Sequence, residues 1–432
     1  MTDMNSKLAI LGGTPINSKP APPYNTIGSD EKNAVLEVLN SGELSGFVAG
    51  PYDSFWGGKK VRELEEEFKK AYGSKYAIAV NSATSGLHCA LHAMNIGPGD
   101  EVITTPITMS ATASTILMTG AVPVFADIDE DNFCIDPKSI EKNITKNTKG
   151  IAAVNIFGHP ANLKEIKKIA EKHNLFILED NAQAPHATID GEFTGTIGDA
   201  GVFSFNRHKT MQCGEGGMIL TNDESIAFKA ACMRNHGEIA VEEMGKSDIV
   251  NTIGVNYRMT EMEAAVALVQ FKKLPHLNET RIARANRITE GLKDIEGITA
   301  PKISEGCTHA YYFYMMKYDE DKVGIPRDLF VDAVMKEGYY LRGGYVTPLY
   351  HHALYQQKIC FGNKGFPFTA NDRNDELSYE KGLCPVAERL HDKEFMLTNI
   401  IYEPYTLEDM DNLVLAMKKV IANKDELLNS IN

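Results

Sequence analysis

The chain has 432 residues, 43% of them hydrophobic and 24% charged, with 58 acidic against 44 basic side chains and a net charge of -14. That length allows two or three domains around a large core. The charge balance excludes a surface built for nucleic acid or anionic membrane, which needs clustered Lys and Arg. Seven scattered cysteines without a C-x-x-C pair exclude a disulfide framework and a zinc site, so no metal is expected. The opening residues lack the apolar core of a signal peptide, and no apolar run approaches the roughly 20 residues of a membrane span. A cytoplasmic protein is the expectation.

Residues 1–29 carry Gly12, Gly13, Pro15, Pro20, Pro22 and Pro23 and are expected to form an extended arm rather than a helix. A short helix is expected from Asp30 to about Leu39, ended by Ser41-Gly42. Val61, Leu64, Phe68 and Ala71 then recur at helical spacing among charges, an amphipathic helix. From Tyr76 the pattern alternates. Strands are predicted at Tyr76–Val80, Glu101–Thr105, Pro123–Ile128, Gly150–Ile156 and Leu175–Glu179, and helices at Ser85–Met94, Ser110–Met118 and Leu163–His173. Continuously apolar strands alternating with helices predict an α/β fold with a mostly parallel sheet covered on both faces. A long helix is expected from Glu261 to about Leu292, broken near Pro275. Beyond it, strands at Tyr311–Lys317 and Tyr340–Val346 and helices at Arg327–Glu337 and Leu407–Ile421 predict a smaller C-terminal α+β domain. The expected division is an arm (1–29), a large cofactor-binding domain (30–270) and a small domain (271–432).

Three features fall at predicted strand ends, where open parallel sheets bind ligands. Asn81-Ser-Ala-Thr-Ser-Gly86 follows one strand and opens a helix, either as a plain N-cap or as an anion cradle of backbone N–H groups. Asp180 follows another strand, as a solvated carboxylate or as a partner for a cationic ring nitrogen. Lys209 lies between the apolar run Val202–Phe205 and Gly214-Glu-Gly-Gly217. It is either a surface lysine on a hairpin or a buried amine poised to form a Schiff base with a carbonyl. A lysine, a carboxylate and a phosphate cradle together are what a protein supplies to pyridoxal 5'-phosphate. A protein that merely bound the cofactor would not need both Lys209 and Asp180, and a soluble interaction module would need none of the three.

These residues, with Glu179-Asp-Asn-Ala-Gln183, Gly198-Asp-Ala-Gly-Val-Phe-Ser-Phe205, Arg234-Asn-His-Gly237 and Asn256-Tyr-Arg-Met-Thr260, carry a resemblance over nearly the whole chain. The sequence resembles the DegT/StrS-type sugar aminotransferases, pyridoxal-phosphate enzymes of fold type I. The resemblance implies that Lys209 is the Schiff-base lysine and proton shuttle, and that Asp180 is the partner of the pyridine nitrogen. It places Gln183 beside the ring near its phenolic oxygen and Ala83, Thr84 and Ser204 at the phosphate. It also implies that Asn256 reaches the phosphate from a neighbouring subunit, hence a homodimer with shared active sites.

The family's stacking aromatic is replaced here by Met109, an adaptable partner for a ring, and Pro185-His186 stands where many relatives have His-Gly. Candidate substrate contacts are His186, Arg258 and Tyr345; for Arg258 the plain alternative is a surface salt bridge, and for Tyr345 packing within the small domain. The implied reaction moves an amino group from glutamate or glutamine to a keto sugar, by a ping-pong course. The principal expectation is a nucleotide-linked keto-deoxy sugar. Leu8–Pro15 and Trp56-Gly-Gly58 resemble a branch acting on keto-cyclitols such as scyllo-inosose. A sugar-dehydratase branch carries histidine in place of the lysine; here Lys209 keeps its register ahead of Gly214 and His208 is its neighbour.

Overall fold

The computed structural model describes residues 6–246 and 253–430; Met1–Asn5 of the expected arm and the chain's last two residues lie outside them. Seven strands form the main sheet: β1 (Tyr76–Val80), β2 (Glu101–Thr104), β3 (Val122–Phe125), β4 (Thr148–Val154), β5 (Phe176–Asp180), β8 (Ala200–Ser204) and β9 (Gly217–Thr221), with β6 (Thr188–Ile189) and β7 (Glu192–Phe193) as a separate small hairpin. The strand order is β1-β9-β8-β5-β4-β2-β3. β3, β2, β4, β5 and β8 run parallel, while β9 runs antiparallel to both β8 and β1. The predicted α/β fold with a mostly parallel sheet is therefore the observed one. β2, β8 and β9 are buried along their whole length, as continuous apolar composition demands when helices cover both faces.

The helices follow from their apolar spacing and their end signals. In α2 (Lys59–Tyr72), following α1 (Ser29–Ser41), Val61, Leu64, Phe68 and Tyr72 form the buried stripe, and Gly73 closes the helix in the left-handed region at φ +68°. α3 (Ala83–Ala93) and α4 (Ala111–Met118) follow β1 and β2. After α5 (Pro137–Lys142), α6 (Leu163–His173) starts at Asn162, whose side chain accepts the Glu165 N–H, and buries Leu163, Ile166, Ile169 and Ala170. α7 (Glu224–Arg234) buries residues all round its axis.

α8 (Glu261–Leu292) opens with a capping box between Thr260 and Glu263 and runs through Pro275 without ending. The expected break is absent. Pro275 forfeits one backbone hydrogen bond, but fixed contacts flank it: Gln270 Nε2 donates to Glu31 Oε1 at 2.7 Å and Asn278 Nδ2 donates to the Pro185 carbonyl at 2.9 Å. Leu274 is fully buried between them. Tertiary packing outweighs the local preference.

A second sheet, β10-β11-β13-β12, is antiparallel and forms the small C-terminal sheet domain: β10 (Ile298–Thr299), β11 (Tyr314–Tyr318), β12 (Arg342–Gly343) and β13 (Phe395–Thr398). The predicted strands at Tyr311–Lys317 and Tyr340–Val346 are shorter or displaced, because Tyr311 takes φ +49° and so lies outside the extended region. Beyond β12, residues 349–384 cover the β3 edge: Tyr379 Oη donates to the Pro123 carbonyl at 2.8 Å, and Tyr350, Tyr355 and Tyr379 pack against Phe125. An edge strand covered this way cannot template aggregation. The arm is pinned by Glu337, which accepts the Ala9 and Ile16 N–H groups and pairs with Lys419 at 2.9 Å, both side chains fully buried. Among the described residues no helix is long and apolar enough to cross a membrane.

Candidate active site

Three pieces of backbone converge at the carboxyl end of the main sheet. The first is the loop from Phe205 to Gly216 between β8 and β9. It is closed by Phe205 N–H to the Gly216 carbonyl (2.9 Å), Arg207 N–H to the Gly214 carbonyl (3.0 Å) and Lys209 N–H to the Asn206 carbonyl (2.8 Å), with Gly214 at φ +91°. The positive φ is the reason for glycine there. Lys209 is thus held on a short rigid loop. Burial depresses its pKa to about 8, and the nearby Asp180 carboxylate pulls the other way. His208, by contrast, is exposed.

The second piece is the end of β5. Asp180 is buried; its Oδ2 accepts the Thr112 hydroxyl at 2.7 Å and its Oδ1 accepts the Ala182 N–H at 3.2 Å. Burial raises its pKa, and Thr112, Ala182 and Lys209, in that order, oppose the rise. Glu179, one residue earlier, is turned to the other face, where Gly195, Ile197 and Gly198 N–H groups and Asn155 hold it. Gln183 accepts the Phe157 N–H at 2.9 Å, and its Nε2 lies 3.5 Å from Tyr345 Oη. Tyr345 packs edge-on to Phe157, and burial raises its pKa.

The third piece is the start of α3. Ser82 caps it by accepting the Ser85 N–H at 3.1 Å, which leaves the N–H groups of Ala83 and Thr84 at the open helix end. Gly217 packs directly beneath: a Cβ there would lie 2.7 Å from both the Ala83 nitrogen and the Ser82 carbonyl carbon. Gly217 is also the register partner of Ser204. Helix end, Ser204 and the Lys209 loop therefore meet at one end of the β8–β9 pair.

Such a set fits a phosphorylated aromatic aldehyde. A helix N-terminus takes an anion, a buried carboxylate takes a protonated ring nitrogen, and an amine of depressed pKa takes a carbonyl. The structure places the other candidates less closely. Met109 is 59% exposed in the turn before α4. Asn256 is exposed; its neighbour Tyr257 accepts the Asn81 N–H through its carbonyl at 2.9 Å, which sets this segment beside the α3 start. Arg258 has a buried Nε without a hydrogen-bond partner. His186 lies elsewhere, its ring packed among Tyr72, Phe193 and Phe271, and burial lowers its pKa to about 4.

The sequence reading missed Thr112 and Tyr312. Lys209 Nζ lies 4.4 Å from the centre of the Tyr312 ring. Neither residue has a local signal, since Thr112 reads as an ordinary helical residue and Tyr312 as part of a strand. Tyr312 also lines a cavity of about 520 Å³ with Tyr24, Arg207, His208, Arg281 and Tyr402. A larger cavity, about 790 Å³, runs along β1 between Trp56 and Lys246 and is lined by neither Lys209 nor Asp180.

The sequence model of the DegT/DnrJ/EryC1/StrS aminotransferase family matches residues 25–414. The chain is 34% identical over 405 residues to the spore coat polysaccharide biosynthesis protein SpsC of Bacillus subtilis, covering 92% of this chain and 96% of that one. It is 33% identical over 433 residues to a putative L-glutamine:3-amino-2,3-dideoxy-scyllo-inosose aminotransferase of Streptoalloteichus tenebrarius, covering 98% and 100%. Among solved structures, DesI in the presence of its TDP-sugar product superposes with a TM-score of 0.81 at 25% identity, over 98% of each chain. The family's enzymes are pyridoxal-phosphate-dependent aminotransferases that move an amino group from a donor to a keto-sugar acceptor. The match spans both sheets, the Lys209 loop, Asp180 and the start of α3, and this chain belongs to the DegT/DnrJ/EryC1/StrS aminotransferase family.

Proposed function

We propose that this aminotransferase uses pyridoxal 5'-phosphate held by Lys209, Asp180 and the α3 N-terminus, and that it moves an amino group from glutamate or glutamine to a keto sugar carried on a nucleotide. The observation that carries the reading is the placement of a lysine of depressed pKa beside a buried carboxylate, at the strand end that also bears the cradle. When bound, pyridoxal phosphate supplies an electron sink for the bonds at the amino-bearing carbon. Lys209, partly neutral near pH 7, would hold the aldehyde through Nζ. Once freed by an incoming amine, the same Nζ would take the proton from the substrate carbon and deliver it back one position away. Asp180 would keep the ring nitrogen protonated. Ala83, Thr84 and Ser204 would hold the phosphate, and Gln183 the phenolic oxygen.

For the acceptor, the cavity beside Tyr312 supports a nucleotide diphosphate: Arg207 and Arg281 offer positive charge, and Tyr24 and Tyr402 offer ring faces. A keto-cyclitol is the second reading, favoured by full-length similarity to the scyllo-inosose enzyme of S. tenebrarius. A homodimer with Asn256 reaching the neighbouring site fits that residue's exposure and the exposed Leu36, Leu39, Val48 and Tyr52. The chain is inferred to work in the cytoplasm.

The test is a visible absorption spectrum of the protein with pyridoxal phosphate, first with glutamate or glutamine, then with nucleotide-linked keto sugars or scyllo-inosose. The expected course is a band that bleaches with one donor and returns with one acceptor class. Lys209→Ala should lose the band and turnover while keeping phosphate affinity. Repeated turnover by that variant would remove Lys209 from the mechanism, and a monomer by light scattering would remove the shared site.

A further inference from the structure

We propose that Tyr312 is a positioning residue for Lys209: its ring is the platform on which the freed Nζ rests between the steps in which it moves a proton. This rests on the assignment of Lys209 as the cofactor lysine. The geometry is direct, with Nζ 4.4 Å from the ring centre, inside the range at which an aromatic face attracts an ammonium.

The ring reaches that position only because the chain departs from a strand. Tyr311 takes φ +49°, an unusual conformation for a bulky residue that persists where its surroundings over-determine it. They do so here. Tyr311 N–H donates to His309 Nδ1 at 2.9 Å, and the two rings stack at 3.9 Å and 6°. Arg281 Nη1 donates to the Tyr311 carbonyl at 3.2 Å. Tyr312 N–H donates to the Phe157 carbonyl at 2.8 Å. Gly158 makes room, since a Cβ there would lie 2.6 Å from the Tyr311 nitrogen. Phe157 in turn donates its N–H to Gln183, three residues beyond Asp180. The platform from the C-terminal half is thereby referenced to the strand end that bears the carboxylate.

The chemical need is plain. A lysine released from a covalent bond regains four flexible carbons and a strongly hydrated head. The Asp180 carboxylate acts on it through charge, and Met109, more than half exposed, offers no ring. Burial pushes the Tyr312 phenol up to about 12, so the ring stays neutral while Lys209 titrates. The groups that act on Lys209 are Asp180 from β5, His208 beside it on its own loop, and the Tyr312 ring from the C-terminal part. All but Tyr312 stay in place in the variants below, so a changed profile belongs to the ring.

The experiment uses cofactor-free protein. Lys209 is methylated with formaldehyde and borohydride across pH, and its peptide is quantified by mass spectrometry. The wild type should show a midpoint near pH 8. Tyr312→Leu should move the midpoint down by about half to one pH unit, because the ammonium loses its aromatic partner. Tyr312→Phe should keep the wild-type midpoint, since the ring face remains. Tyr312→Met supplies a second non-aromatic variant if the leucine form does not fold. Leucine and methionine profiles that overlay the wild type, or a phenylalanine profile shifted as far as theirs, overturn the role. Wild-type protein that forms no visible band with pyridoxal phosphate overturns the Lys209 assignment and this role together. A wild-type band with unshifted variants overturns the platform alone.

Discussion

Thr112→Val isolates the hydrogen bond that keeps Asp180 charged. The Thr112 hydroxyl has one proton, and its short contact is Asp180 Oδ2 at 2.7 Å, against 3.4 Å to the Met109 carbonyl. Valine preserves the volume, so no cavity term enters. A hydrogen bond to a buried charged group contributes about 1.5–3 kcal/mol, and one between neutral groups about 0.5–1.5. Asp180 has a folded pKa raised above 3.8, so ionising it costs stability as pH climbs from that value through the raised one. Removing Thr112 raises the folded pKa further. The variant's deficit should therefore be small toward pH 4, where the folded carboxyl keeps its proton, and full at pH 8. With an unfolding entropy of about 0.9 kcal/mol/K for a chain of this size, the melting temperature should fall by about 2–3 °C at pH 8 and by about 0.6–1.7 °C near pH 4. The assay is differential scanning calorimetry of cofactor-free protein at both pH values. An equal deficit at the two, or none at pH 8, would refute the claim that Thr112 holds a charged Asp180.

Gly217→Ala should weaken pyridoxal phosphate binding at least about tenfold, read by titrating the visible band. Its Cβ would meet the backbone of Ser82, Ala83 and Phe203 at 2.7–2.9 Å, and backbone cannot step aside as a side chain can. Glu337→Ala should cost about 3–5 kcal/mol, because Lys419 is left buried and unpaired. The same change removes the acceptors of the Ala9 and Ile16 N–H groups, so limited proteolysis should cut first between Lys7 and Lys19. An arm as resistant as in the wild type would show that it is held by something other than Glu337.

Much of this is legible in the sequence. Continuously apolar runs marked the main-sheet strands, period-3.6 spacing marked α2 and α6, and glycine punctuation marked the loop that carries Lys209. Asp180 was visible as the residue that ends an apolar strand. Other elements left no such trace. α7 is buried all round, so its apolar residues show no stripe from which a helix could be read. Pro275 signals a break that packing on both sides overrides. His186, beside a motif that suggested the acceptor pocket, turns into an aromatic cluster because its φ of +63° aims it there.

What the sequence by itself determined is therefore local: where the chain turns, which face of each element is apolar, and which strand ends bear a lysine, a carboxylate and a row of small residues. Only the tertiary structure decided which distant groups meet them. Thr112 comes to Asp180 from 68 residues away, and Tyr312 reaches Lys209 through a strained turn held by His309, Arg281 and Phe157. Periodicity records the side of an element that faces the core, whereas a contact between elements depends on how the sheet orders its strands and how closely their backbones approach. Those distances arise only when the whole chain has packed.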